Sequence, residues 1–256
     1  RPRTVVRHRT ACAADGTLLA READVIVDCG AYVSWGAVTP VVMMHTFGSF
    51  YRVPHAKYRA RTVYTNTAPT GAMRGFGNPE IIFAIESQMD ELAQLVGIDP
   101  IEIRIRNANR AGEVTPQGSK ITSCGMQECL EAVRSRLDRS KDSPAPHLRR
   151  GVGVAGVFHV GGGARIYRSD GCGAMVKVDD FARVTVIVGA TDIGQGMETI
   201  AAQVAAEELG VPLENIRVAS TDTDVRPWDV GVHASRTTFI AGNAIRLAAK
   251  DAKAQI

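Results

Sequence analysis

The pattern of apolar and polar positions predicts a β-rich start to the chain. Residues 4–13 and 23–29 have the composition of strands, and apolar and polar residues alternate over residues 58–66. Asp15-Gly16 and Gly30 are turn signals between these segments. We therefore expect residues 1–66 to form mainly strands.

Helical spacing follows this region. Apolar residues recur every three or four positions after Pro79, which suits a first helical position behind a capping Asn78, and Gly97 ends the pattern. A second helix is predicted over residues 99–106, and a third begins after Ser123. The apolar face of the first helix comprises Ile82, Ile85, Met89, Leu92 and Val96, and the inner face of the third comprises Cys129, Leu130 and Val133.

The second half of the chain mixes strand and helix signals behind a polar, proline-containing segment at residues 138–150, which we interpret as a linker. Strands joined by hairpins, together with helices, indicate an α+β fold with mixed or antiparallel sheets and packed helices. The predicted domains are residues 1–137 and 151–256. The predicted strands are 151–160, 164–169, 173–178, 184–188 and 216–219, with a hairpin turn near 179–180 and helices over 197–209 and from about Thr238 onward.

Composition and charge narrow the function classes. The hydrophobic fraction of 45% in 256 residues is enough for a substantial core, and the net charge of +3 gives no strong field for nucleic acid or a membrane surface. No run of about 18 apolar residues could span a bilayer. Five scattered cysteines favour reduced thiols, so we expect a cytoplasmic protein.

Candidate chemistry begins in the first glycine loop, residues 71–80. Glycines surround one long polar side chain, Arg74, and the loop leads directly into a predicted helix. Main chain at Arg74, Gly75 and Phe76 could hold an anionic or metal-bound ligand through its N–H groups, while Phe76 offers a flat face to an aromatic substrate. The alternative is a plain glycine-rich turn before a capped helix.

The second glycine loop, residues 189–196, has the same design. Gln195 stands between Gly194 and Gly196 at the start of a predicted helix. Its neutral amide can both donate and accept a hydrogen bond, a mixed role that no charged side chain fills, and the helix N-terminus favours an anion. We expect the first and second glycine loops to converge in space on one large ligand.

A third stretch, residues 229–243, places hydroxyl groups before a helix. Ser235, Thr237 and Thr238 could bind a dinucleotide pyrophosphate through N–H and O–H groups, or they could simply cap the helix. Other signals are weaker. Residues 151–156 match a dinucleotide fingerprint but follow a linker, and Cys124 and Cys129 lack a second pair of zinc ligands.

These loops resemble the molybdenum-cofactor subunit of the xanthine oxidase family of molybdenum hydroxylases, which carries an Arg-Gly-Phe-Gly loop and a Gly-Gln-Gly loop. The resemblance extends over essentially the whole chain. Within the family it is strongest to the 4-hydroxybenzoyl-CoA reductase group. The segments that carry this are residues 64–67, 114–118, 121–125, 167–171 and 228–238.

The resemblance implies portions of two successive molybdopterin-binding domains, the end of the first in residues 1–137 and the beginning of the second in residues 151–256. It implies a molybdenum–molybdopterin cofactor in its cytosine dinucleotide form, iron–sulfur and FAD partner subunits, and a small aromatic substrate that stacks on Phe76. From its place beside glycine-rich turns, His159 is either a residue that lines the substrate pocket or a structural histidine. The residues that would hold the cofactor are Arg74, Gly75, Phe76, Gly194, Gln195, Gly196, Ala234, Ser235 and Thr237.

Departures from the family pattern narrow the choice of substrate. The first glycine loop has Met73 where Phe is usual, and it lacks the cysteine of carbon monoxide dehydrogenases. Val42 stands where purine-oxidising members place an orienting arginine, which argues against purines. The catalytic glutamate and an upstream glycine loop of the family are not found in these 256 residues. We therefore expect a fragment that holds no catalytic residue, no cofactor and no activity by itself.

Two alternatives to an enzyme of the reductase type stay open. The first is the same family acting on an aldehyde or an N-heterocycle. The second is a noncatalytic scaffold module that keeps the fold without the cofactor.

Overall fold

The computed structural model of the chain describes residues 1–137, 140, 145–159, 161–162, 169–219 and 222–256. These residues form two compact units, Arg1–His159 and Val160–Ile256, and each is described by itself. Most of the predicted linker at residues 138–150 lies outside the described residues, and its role as the domain boundary stays a prediction.

The first unit is built on a three-stranded sheet in the order β1-β2-β3. Strand β2 pairs antiparallel with β1 and parallel with β3. The alternation visible in the sequence places one set of side chains inward, and Val25 in the central strand pairs with Val6 on one side and Ala60 on the other. The strands are β1 (Thr4–Cys12), β2 (Leu18–Gly30) and β3 (His55–Tyr64).

Helices cover the inner face of this sheet. The first of them, α1, is a correction, because residues 39–49 fall within the region expected to be mainly strands. Both Met43 and Phe47 of α1 are fully buried, and its sequence has little polar contrast from which a helical period could be read. The helices are α1 (Thr39–Ser49), α2 (Asn78–Val96), α3 (Pro100–Arg106) and α4 (Met126–Arg136), with a 3-10 turn at Trp35–Ala37.

The helices predicted after residue 78 are confirmed, with one change in α4. Helix α2 ends at Gly97 as expected, and Asp99 caps α3 by accepting hydrogen bonds from the amides of Ile101 and Glu102. The inner face of α4 is narrower than predicted, because only Leu130 is buried. Cys129 is exposed, and 44% of Val133 is exposed.

The predicted strand at residues 151–160 does not form over 151–159. The amide of Gly156 donates instead to Glu86 Oε2 over 3.0 Å, and Phe158 packs against Phe50 with 6.5 Å between ring centroids. Residues 151–159 are therefore held against the core by the Glu86 carboxylate and by packing on Phe50, and not by the backbone hydrogen bonds of a sheet. Gly156 is part of that packing, and not of a nucleotide-binding loop.

The core of the first unit contains a buried ion pair. Arg104 is fully buried, and its Nε donates to Glu86 Oε2 over 2.7 Å while its Nη1 donates to Asp90 over 2.8 Å. Glu86 also accepts from the Tyr51 hydroxyl. The buried Glu86 carboxylate thus has both an opposite charge and hydrogen-bond donors, as a buried charge requires.

Burial of His8 predicts that the stability of the first unit depends on pH. Its ring packs edge-on against Phe47, and burial, together with the positive charge of Arg21, lowers the pKa of His8 from 6.5 to about 4. His8 therefore takes up a proton near pH 6.5 in the unfolded chain but only near pH 4 in the folded chain. We expect the free energy of unfolding to fall by about 3 kcal/mol between pH 6.5 and pH 4.

Urea unfolding at several pH values, followed by Trp35 fluorescence in a Trp228→Phe background, measures this slope. His8→Gln should remove most of it, whereas His55→Gln, at an exposed position of β3, should leave it unchanged. An equal slope in wild type and His8→Gln would contradict the assignment.

The second unit repeats the design of the first. Its sheet has the order β4-β5-β6, with β5 antiparallel to β4 and parallel to β6. Its core joins the valines of β5 to Ala201, Ala205, Ala241 and Ile245 of the two helices. The elements are β4 (Ala174–Val178), β5 (Val184–Val188), α5 (Met197–Leu209), β6 (Ile216–Ala219) and α6 (Thr237–Gln255), with a 3-10 turn at Leu213–Asn215.

These elements confirm the predicted strands at 173–178, 184–188 and 216–219 and both helices. The predicted strand at 164–169 lies outside the described residues except for Ser169. Small mixed sheets with packed helices confirm the α+β class. Among the described helices, none is long and apolar enough to cross a bilayer.

Candidate functional site

The first glycine loop has an unusual backbone. Three successive residues have positive φ angles, Gly75 at 96°, Phe76 at 28° and Gly77 at 83°. Phe76 is the informative one, because a bulky residue avoids this region unless its surroundings enforce it. Such strain concentrates at ligand-binding loops, which favours a functional role for Phe76 over a plain turn.

Close packing enforces this backbone. A Cβ at Gly77 would lie 2.8 Å from the Thr39 carbonyl oxygen of α1, and a Cβ at Gly75 would lie 2.8 Å from Pro79 Cγ. The Arg1 guanidinium donates to the Arg74 carbonyl. The Arg74 side chain itself is exposed at the tip of the loop.

Asn78 does not cap α2, contrary to the sequence prediction. Gly77 occupies the capping position, and no side chain accepts a hydrogen bond there. Asn78 is instead buried, where its amide accepts from the Thr46 hydroxyl and donates to His159 Nδ1. The structure therefore brings His159 to the base of the first glycine loop, and this contact holds its exposed ring.

The segment before the first glycine loop, residues 65–70, is hydrogen-bonded to the end of β2. Asp28 accepts from the Thr65 hydroxyl over 2.6 Å and from the Gly30 amide over 2.8 Å. The Thr70 hydroxyl donates to the Asp28 carbonyl over 2.7 Å. A Cβ at Gly30 would collide with the Ala68 carbonyl. These contacts explain why Gly30 marks the turn and why the loop has a fixed starting point.

Phe76 has an aromatic neighbour that sequence reasoning missed. The rings of Trp35 and Phe76 meet edge-on, with 6.1 Å between centroids and 84° between planes. Trp35 is 39% exposed, and Phe76 is half-buried. A large exposed aromatic residue in a glycine-flanked turn was the available signal.

In the second glycine loop, Gln195 folds back on its own main chain. Its Oε1 accepts from the Ile193 amide over 2.6 Å, and its Nε2 donates to the Thr191 carbonyl over 3.1 Å. Gly194 and Gly196 have positive φ angles of 98° and 82°, and a Cβ on either would meet nothing within 4 Å. The loop thus presents open main chain beside an amide that is locally satisfied.

A carboxylate occupies the N-terminus of α5. Asp192 accepts from the Gly194 amide over 2.7 Å and from the Glu198 amide over 3.3 Å. These backbone hydrogen bonds, that of Gly194 first, lower the pKa of Asp192. The positive end of this helix, expected from the sequence to face a phosphate or metal centre, is therefore already paired with a negative charge.

The third stretch also carries strained backbone. Ala234 and Ser235 have φ angles of 51° and 52°, a left-handed conformation that neither residue favours. Ser235 is exposed, and Thr237 begins α6. Arg236 occupies the capping position of α6, and no side chain accepts a capping hydrogen bond there. The alternative that Ser235, Thr237 and Thr238 simply cap the helix is therefore wrong.

Arg236 holds this conformation. It is 1% exposed, and its guanidinium donates to the carboxylates of Asp170 and Asp229. It also donates to the carbonyls of Gly231 over 2.9 Å and Gly171 over 2.7 Å. Sequence reasoning missed this cluster, because its members are 66 residues apart at the extremes.

Metal ligation by side chains finds no support in the described part of the chain. No group of three His, Cys, Asp or Glu residues there could hold a metal ion. All five cysteines are free, and burial, with Asp229 alongside, raises the pKa of the Cys172 thiol to about 11. Cys124 and Cys129 form no zinc site with these residues.

Two family models fit the chain, both described as molybdopterin cofactor-binding domains. They match residues 1–108 and residues 126–256. The chain belongs to the xanthine oxidase family of molybdenum hydroxylases. The first glycine loop thus lies in the first of these two cofactor-binding domains and the second glycine loop in the second, which confirms the family and the domain type expected from the sequence.

Individual relatives support the same assignment. The chain is 41% identical over 242 residues to the xanthine dehydrogenase molybdenum-binding subunit of Escherichia coli O157:H7, covering 92% of this chain and 32% of the relative. It is 32% identical over 246 residues to the aldehyde oxidoreductase of Megalodesulfovibrio gigas, covering 93% and 27%. The chain spans about a third of the length of these relatives.

A solved structure has the same fold. The aldehyde oxidoreductase from Desulfovibrio gigas superposes with a TM-score of 0.88 at 30% identity, covering 98% of this chain and 28% of that one. The particular similarity to 4-hydroxybenzoyl-CoA reductase stays a prediction. The convergence of the first and second glycine loops also stays a prediction.

Proposed function

We propose that this chain is part of the catalytic subunit of a molybdenum-dependent oxidoreductase that acts on a planar aromatic substrate. The observation that carries the proposal is the left-handed Gly75-Phe76-Gly77 backbone beside an exposed Arg74. A strained loop of this kind is typical of a ligand-binding site. The aromatic ring at its centre favours a flat substrate.

The residues present fit a molybdenum–molybdopterin cofactor. Open main chain at Gly194 and Gly196 allows close approach, and the amide of Gln195 can exchange its internal bonds for bonds to oxo and pterin atoms. Ser235 and Thr237 offer N–H and O–H groups to the dinucleotide, and Ala234 shapes the turn. When bound, the cofactor supplies two-electron redox chemistry, and the protein orients the substrate.

The first substrate candidate is an aromatic CoA thioester, as in 4-hydroxybenzoyl-CoA reductase. Val42 is 6% exposed and lies against Gly77, so this position has no charge with which to orient a purine. Phe76 would stack on the substrate ring, and His159, fixed by Asn78, would contact it from the base of the loop. A ring-bearing acyl group suits these contacts.

The second candidate is an aldehyde or an N-heterocycle. The names of two relatives favour it, since one is a xanthine dehydrogenase subunit and the other an aldehyde oxidoreductase. In either case the catalytic glutamate lies outside these 256 residues, and electrons pass to iron–sulfur and FAD subunits of a cytoplasmic complex. The fragment alone is then inactive and without cofactor.

The test uses the complete complex purified from cells. Metal analysis should find molybdenum, and acid hydrolysis should release a cytidine nucleotide if the cofactor is the cytosine dinucleotide form. Absence of molybdenum would overturn the proposal in favour of a noncatalytic scaffold. Turnover is then compared for 4-hydroxybenzoyl-CoA with an electron donor and for benzaldehyde and hypoxanthine with an electron acceptor.

The turnover pattern decides between the substrates. Activity with the thioester alone supports the first candidate, and activity with benzaldehyde or hypoxanthine but not the thioester supports the second. Preferential turnover of hypoxanthine would contradict the argument from Val42. A Phe76→Leu variant should raise KM for whichever aromatic substrate is used.

A further inference from the structure

The contact between Trp35 and Phe76 suggests a role for a residue outside both glycine loops. Their rings stand at 84° with 6.1 Å between centroids, which is the favoured edge-to-face geometry. In this arrangement Trp35 can cover no more than one face of the Phe76 ring. Trp35 by itself therefore leaves at least one face of the Phe76 ring uncovered.

Trp35 has a fixed place beside the loop. It begins the 3-10 turn at Trp35–Ala37, and a Cβ at the next residue, Gly36, would lie 2.8 Å from Cys29 Cβ and 3.3 Å from the Thr70 carbonyl oxygen. A Cβ on Gly71, which opens the first glycine loop, would lie 3.8 Å from Trp35 Cβ. The turn that carries Trp35 is therefore closely packed between the end of β2 and the start of the first glycine loop.

Phe76 by contrast lacks local support for its ring. Its neighbours Gly75 and Gly77 have no side chains to pack against it, and its own backbone lies in a disfavoured region at φ 28°. The plane of its ring therefore depends on contacts from elsewhere in the fold. Trp35 supplies such a contact from a rigid turn.

We propose that Trp35 is a positioning residue for aromatic substrates, which sets the ring plane of Phe76 so that its open face can stack on the substrate. The inference rests on the proposed function, because it presupposes that Phe76 contacts the substrate. Trp35 would thus be a specificity determinant that lies about 40 residues before Phe76 in sequence, in the 3-10 turn rather than in the first glycine loop. The selectivity it confers is for flat rings over saturated rings of similar size.

The test measures binding of two carboxylates to the complete complex by calorimetry. Benzoate and cyclohexanecarboxylate have the same charge and similar size, but only benzoate has a π face. We expect wild type to bind benzoate about fivefold more tightly. Trp35→Leu should reduce this preference to less than about twofold, and Trp35→Phe should retain most of it, because a phenyl ring can restore the edge contact.

Phe83→Leu is the matched control, since Phe83 is an aromatic residue of the same unit that is 77% exposed. This variant should prefer benzoate over cyclohexanecarboxylate as strongly as wild type does. If Trp35→Leu does not assemble, Trp35→Met replaces it. A preference that survives in the ring-free Trp35 variant but is lost in Phe76→Leu would overturn the inference and leave Phe76 stacking intact. No preference in wild type, or none lost in Phe76→Leu, would overturn both.

Discussion

Replacing Arg104 by methionine is expected to lower the free energy of unfolding of the first unit by about 3–5 kcal/mol. Arg104 is fully buried and pairs with Glu86, which is 5% exposed. Methionine fills the volume of the side chain but leaves the Glu86 carboxylate without its positive partner. Removing one member of a buried pair is costly because the remaining charge stays desolvated.

Arg106→Met provides the control for this prediction. Arg106 lies two residues later on α3, is 34% exposed and pairs with Asp15 over 3.2 Å. Such a surface pair contributes about 0–1 kcal/mol. The measurement is urea unfolding followed by Trp35 fluorescence in the Trp228→Phe background. Equal losses for the two variants would contradict a special role of the buried pair, and Glu86→Gln combined with Arg104→Met should recover part of the stability.

Replacing Arg236 by methionine is expected to cost the second unit about 3–5 kcal/mol and to lower the cofactor content of the complete complex. Arg236 forms ion pairs with two carboxylates whose side chains are only 9% and 4% exposed, those of Asp170 and Asp229. It also satisfies two backbone carbonyls. Without it, the left-handed conformation of Ala234 and Ser235 loses the contacts that enforce it.

Arg246→Met is the matched control, because Arg246 lies on the same helix at an exposed position. It should change stability by less than about 0.5 kcal/mol. Unfolding is followed by Trp228 fluorescence in a Trp35→Phe background, and molybdenum per subunit is measured in the complete complex. Normal stability together with normal metal content in Arg236→Met would refute the proposed role of the cluster.

Hydrogen bonds within the second glycine loop should lower the entropic cost of binding a cofactor there. Gln195 and Asp192 both accept hydrogen bonds from main-chain amides of the second glycine loop. Under the proposed function the loop is preorganised, because cofactor binding would exchange existing hydrogen bonds for new ones rather than order a free segment. Preorganisation of this kind reduces the entropic cost of holding a large cofactor.

Patterns local to the sequence predicted much of the fold. The strands of the first sheet, the helices α2, α3, α5 and α6, and the hairpin after β4 were all visible as spacing and turn signals. Helix α1 was missed because a helix that is buried nearly all round lacks the polar face on which periodicity depends. The segment at 151–159 was misread because its apolar content serves packing on Phe50 and Glu86 rather than a sheet.

The sequence by itself determined the family, the α+β class and the glycine loops, because these depend on residue type and spacing along the chain. Only the tertiary structure decided that Asn78 holds His159, that Trp35 meets Phe76, and that Arg104 and Arg236 neutralise buried carboxylates. These contacts join residues far apart in the chain. It also revealed the left-handed Phe76, Ala234 and Ser235, since packing from distant residues, and no local preference, enforces that backbone.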